Sequence, residues 1–103
     1  MTTPELWKRW KVAEAHLRSA QRDLPIPPTE VAAEFEHLQS EFSSFLDHNE
    51  LELALGMLQD LGELFASGGG FWRDLELAAE SMMLPDRKCY FRSRFLQSTP
   101  KQP

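Results

Sequence analysis

The sequence has little of what builds sheets and tight turns: five glycines in 103 residues, and few β-branched side chains. Because β-branched and aromatic residues are the ones that suit a pleated surface, this shortage argues against an all-β fold. A single cysteine, Cys89, excludes an internal disulfide and points to a reducing cytoplasm, with Cys89 itself expected as a packed or inert thiol. No apolar run approaches the roughly 18 residues a membrane span needs. At the N-terminus, Trp7-Lys8-Arg9-Trp10-Lys11 interrupts any leader-like segment. The most informative absence is of positive charge: between Arg22 and Arg73 there is no lysine or arginine.

What fills that interval is acid: Asp23, Glu30, Glu34, Glu36, Glu41, Asp47, Glu50, Glu52, Asp60 and Glu63. The bases lie at the two ends, from Lys8 to Arg22 and from Arg73 to Lys101. The net charge of −5 is therefore unevenly placed. Such a middle repels nucleic acid and favours a basic partner, unless the terminal helices pack alongside it and supply counter-charges. The length suits one domain able to bury a core, over about residues 1–97, with a disordered tail at 98–103.

Hydrophobic spacing predicts an all-α fold, an antiparallel bundle of four to five helices. The first helix runs from Pro4 to Leu24, with Thr3 as its cap and a core stripe of Leu6, Trp10, Ala13, Leu17, Ala20 and Leu24. Pro25-Ile26-Pro27-Pro28 ends it as a stiff connection. The second runs from a Thr29 cap to Asp47 and buries Val31, Phe35, Leu38, Phe42 and Phe45. The central helix, Glu50–Phe65, starts at an Asn49/Glu52 capping box. It is apolar on two sides: Leu51, Ala54, Leu55, Leu58, Gly62 and Phe65 on one, and Leu53, Met57 and Leu64 on the other. A helix of that kind is buried between neighbours, or offers its second row as a docking surface. Ser67-Gly68-Gly69-Gly70 is expected to cap it with a positive-φ glycine. A fourth helix, Phe71–Leu84, stops at Pro85, and Asp86 caps a short last one, Arg87–Leu96. That segment mixes aromatics with bases and is expected to pack back on the acidic middle rather than to bind single-stranded nucleic acid.

No catalytic apparatus is legible. The glycine triplet lacks the preceding strand and following Lys-Ser/Thr of a phosphate loop, and no serine sits in a nucleophile elbow. Glu34 and His37 have the Glu-x-x-His spacing of helical di-iron sites, but the second copy such a site needs is missing, with Phe45 at the position before His48. No metal, cofactor or catalytic residue is expected. The flank of helix two carries a different signal: Glu30, Glu34, His37, Glu41, Ser44 and His48 stack at helical spacing. Like charges so placed cost about 0.2–0.5 kcal/mol per pair, and nothing basic on the same helix offsets them. With Asp47 and Glu50 of the following turn they form a candidate partner surface, and Trp72 is a candidate apolar anchor beside it.

At residues 48–63, HNELELALGMLQDLGE, and 71–84, FWRDLELAAESMML, the chain resembles the small helical immunity proteins found beside bacterial polymorphic toxins, of the MafI type and its relatives. The likeness covers about residues 35–84 and shares its Ala-Leu pattern with tetratricopeptide-like helix pairs. What it implies is a non-enzymatic inhibitor that neutralises a cognate toxin by tight, stoichiometric binding. The acidic middle suits a toxin with a basic cleft for nucleic acid or nucleotides. Two other functions are open at this level. One is an adaptor or chaperone that uses Leu53, Met57 and Leu64 as a groove; the other is a metal-dependent enzyme resting on Glu34 and His37.

Overall fold

A computed structural model describes residues 4–65 and 67–98. They form five α-helices and one 3₁₀ turn: α1 (Pro4–Arg22), the turn Thr29–Val31, α2 (Ala32–Asp47), α3 (Leu51–Leu64), α4 (Gly69–Ser81) and α5 (Pro85–Ser98). The expected all-α bundle is what forms. Thr3, Ala66 and the tail from residue 99 onward lie outside the described residues.

Side-chain pairings fix the directions. On α4 and α5, Glu80 meets Lys88, Glu76 meets Arg92 and Arg73 faces the Phe95 ring, so the two helices run antiparallel. Asp74 of α4 meets His16 and Ser19 of α1, and Gly70 lies beside Asp23, which again is antiparallel. Phe35, early in α2, packs on Phe65 at the end of α3 with ring centroids 5.7 Å apart. Thus α4 is flanked by α1 and α5, α2 packs chiefly on α3, and α3 joins the two groups. The chain is a slab measuring 45 × 37 × 20 Å, about two helix diameters thick.

The core runs through Leu17, Phe42, Leu55, Leu58, Leu75 and Phe91, with Phe71 edge-on to Trp72 at 5.0 Å. The crossing of α3 over α4 depends on Gly62. A Cβ there would lie 2.4 Å from Phe71 Cε1 and 2.9 Å from Trp72 Cη2, so the glycine lets two aromatic rings press onto the α3 backbone. Of the second apolar row on α3, Met57 and Leu64 pack against this core and only Leu53 is exposed. Leu61, in neither expected row, is fully buried.

Several boundaries differ from the sequence reading, each for a local reason. Asn49 does not cap α3; no side chain does. It sits at φ 59° and instead closes α2, with Glu50 N–H donating to Phe45 O (2.8 Å) and Asn49 N–H to Leu46 O (3.1 Å). That pair of bonds is a Schellman motif, for which asparagine is a tolerated left-handed residue. The same motif ends α4: Met83 has φ 59°, Leu84 N–H donates to Ala79 O and Met83 N–H to Glu80 O. Pro85 therefore opens α5 rather than stopping α4, in the first helical position where its missing N–H costs nothing. The glycines after Ser67 are not a left-handed cap either: α3 ends in extended backbone at Phe65, and Gly69 and Gly70 are the first turn of α4. Residues 29–31 form a 3₁₀ turn ahead of α2, with no side-chain cap from Thr29.

Candidate protein-docking site

The first question is whether the acids between Arg22 and Arg73 are neutralised inside the fold. Among the described residues only Glu63 of these ten has its carboxylate paired with an arginine, Arg94 of α5. Glu41 stands 3.9 Å from His37 one turn away on α2, a pair open to solvent. Glu30, Glu34, Glu36, Asp47, Glu50 and Glu52 are exposed and have no ion pair among the described residues. The reason is topological. α2 packs on α3, itself without a basic residue, while the basic helices α1 and α5 gather around α4.

The ridge holds its shape with one change of register. Glu34, His37, Glu41 and Ser44 stand on α2, whereas Glu30 belongs to the 3₁₀ turn before it. His48, at the C-cap of α2, turns its Nδ1 back to Ser44 O at 2.7 Å and so helps satisfy the end of the helix. Asp47 and Glu50 flank the Asn49 turn and extend the acidic surface onto the start of α3. Among the described residues no three His, Cys, Asp or Glu side chains gather into a metal-binding group.

The bases of α5 end differently. Arg92 and Arg73 both reach Glu76, which is 1% exposed, at 3.4 and 2.9 Å; the second is an ion pair without hydrogen-bond alignment. Arg94 bonds Glu63 and lies over the Trp72 ring at 4.4 Å. Lys88 pairs with Glu80, and Arg87 donates to the Glu52 carbonyl. The last helix thus packs back on the chain, but mostly on α4 rather than on the acidic middle, of which it reaches only Glu63 and the Glu52 carbonyl. Tyr90 donates its phenol proton to Glu63, and that hydrogen bond above all, with burial and the Glu63 charge, raises its pKa against an opposing effect of Arg94.

One expectation fails here, and the packed alternative for Cys89 is removed. Trp72 is no surface anchor: it is 1% exposed, stacked on Phe91 at 6.3 Å and covered by Arg94. Cys89 is exposed rather than packed.

The exposed tryptophans lie elsewhere. Leu6 and Trp10, assigned to the core stripe of α1, are exposed, Trp10 at 43%, and Trp7 is exposed at 53%. α1 outruns its partner. With Asp74 opposite His16 and Ser19 and Gly70 beside Asp23, antiparallel α4 ends at Ser81, level with the region of Arg9 to Val12, just ahead of Ala13, the first buried residue of α1. The residues before that project beyond α4, about 9 Å of helix at 1.5 Å per residue. Beneath this overhang is a cleft of about 430 Å³ lined by Trp7, Trp10, Lys11 and Glu14 of α1, Asn49, Leu51 and Glu52 of the α2–α3 turn, and Met82 and Leu84 of the α4–α5 turn. Both Schellman turns therefore contribute to its floor.

Between α1 and α4, Asp74 accepts from Ser19 Oγ at 2.9 Å and meets His16 Nδ1 at 3.3 Å. The serine gives its proton to the carboxylate rather than to the histidine, so this trio ties helices together and does not resemble a nucleophile with its base.

Among protein families, characterised proteins and solved structures, none matches the chain. No helix among the described residues is long and apolar enough to cross a membrane.

Proposed function

We propose that this chain is a non-enzymatic binding protein that neutralises a cognate bacterial toxin by engaging it directly through the acidic face of α2 and the Asn49 turn. The observation that carries the reading is that Glu30, Glu34, Asp47 and Glu50 have no ion pair among the described residues, whereas Glu63, Glu76 and Glu80 are paired where α5 packs. Holding like charges in a row costs stability. A basic partner converts that cost into fast, selective association. The resemblance of residues 48–63 and 71–84 to the immunity proteins supports a toxin as the partner, and the acidic face supports a toxin domain with a basic substrate cleft. The adaptor reading required an open row of Leu53, Met57 and Leu64; two of those three pack against the core.

The test is co-expression with the C-terminal domain of a toxin encoded beside this chain. That domain alone should arrest growth, and together with this chain it should be harmless and should co-purify with it. Rescue that comes with reduced toxin levels and no complex between the purified proteins contradicts the proposal.

A further inference from the structure

We infer that the cleft under the overhanging end of α1 receives an arginine-bearing apolar segment of the partner protein, stacked on Trp7 and Trp10 and paired with Glu52. This deepens the binding role proposed above and rests on it. Indoles are the strongest aromatic acceptors of a cation over their face, and exposed tryptophans in a concave site are the usual centre of a protein–protein interface. Trp7 already shows the chemistry within the chain, since Lys11 Nζ lies 5.4 Å from its ring centroid.

Charge selects the occupant. Of the two acids lining the cleft, Glu14 is shared with Arg18 at 3.3 Å, whereas the Glu52 carboxylate has no ion pair among the described residues. Arg87 approaches only the Glu52 backbone carbonyl. Asp47 and Glu50 of the same turn are equally uncompensated, so the cleft is continuous with the acidic face of α2. The one base in the lining, Lys11, is spent on Trp7. A guanidinium fits this set better than an ammonium, because its plane can lie on an indole while its N–H fork meets a carboxylate. Leu51, Met82 and Leu84 supply the apolar floor on which flanking aliphatic side chains can rest. A volume near 430 Å³ lies within the roughly 300–1,000 Å³ of ligand pockets, room for an arginine side chain together with its aliphatic neighbours.

The test uses two short acetylated, amidated peptides with one arginine or one citrulline between leucines; the second has the same shape without the charge. Each is titrated into the ¹⁵N-labelled protein while the three indole N–H signals are followed. The arginine peptide should shift Trp7 and Trp10 and leave the buried Trp72 in place. The citrulline peptide should bind roughly threefold to thirtyfold more weakly. Glu52→Gln should weaken the arginine peptide, Lys11→Met should tighten it about threefold, and Asp23→Asn, exposed just past the opposite end of α1, should change it little. Equal binding of the two peptides, equal losses at Asp23 and Glu52, or no movement of the Trp7 and Trp10 signals overturns the assignment. Because toxin rescue is measured separately, a failed titration with intact rescue removes the cleft and leaves neutralisation standing.

Discussion

α2 and α5 are helices of similar length, each packed chiefly on one neighbour, yet they dispose of their charge in opposite ways. α5 sends Lys88, Arg92 and Arg94 onto acids of α3 and α4 and Arg87 onto a backbone carbonyl, and one of those acids, Glu76, is buried. α2 lies against a helix without bases and leaves Glu34, Glu36 and Asp47 facing solvent. The same fold therefore contains a region where charge is structural and one where it is surplus. Charge on α5 should matter to stability, and charge on α2 to association.

The sharpest way to break the comparison on the α5 side is to strand the buried carboxylate. Replacing both Arg73 and Arg92 by methionine leaves Glu76 without its two cations. The expected loss is about 3 kcal/mol of unfolding free energy, because an unpaired buried charge retains its desolvation cost. Urea denaturation of the double variant measures it; a loss below about 0.5 kcal/mol, typical of a surface change, would show that Glu76 does not depend on the pair.

A smaller effect is expected from Tyr90. Its pKa is raised in the fold, mainly by donation to Glu63, so the folded state holds the phenol proton more tightly than the unfolded chain does. The contribution is complete below the unfolded value of about 10 and is lost as pH rises through the higher folded value. Stability should hold up to about pH 9 and fall beyond 10, and Tyr90→Phe should flatten that part of the fall. Thermal melts of both proteins across this range decide the point; identical alkaline profiles contradict it.

How much of this was legible in the sequence depends on whether a feature is set by one helix or by two. The bundle and most of the core rows of α2 and α3 follow from spacing within single segments, although those rows missed the buried Leu46 and Leu61 and took in Val31, Leu38 and Phe45, which are half-buried. The exposed acids follow from the same patterns read on the polar side. The cleft was not legible. Trp10 fits the α1 stripe with Leu17, and only the shorter length of α4 and its register against Asp74 reveal that the first turns of α1 have nothing to pack on. Trp72 misled for the converse reason: it follows three glycines and looks like a mobile edge, whereas Gly69 and Gly70 are helical and α5 closes over it. At residue 49, a capping-box pattern and a Schellman closure both use asparagine, and the hydrogen bonds to Phe45 and Leu46 chose the second.

The central claim is that the α2 acids serve a partner and not the fold, and the double reversal Glu41→Lys with Asp47→Lys tests it most directly on two readouts from one sample. Thermal unfolding should stay within about 0.5 kcal/mol of the parent, since among the described residues these acids meet no lysine or arginine. The association rate with the neutralised toxin domain should fall about tenfold or more at low salt, with little change in dissociation, and the difference should close near 1 M salt, where screening shortens to about 3 Å. A lower melting temperature with an unchanged association rate would contradict the account.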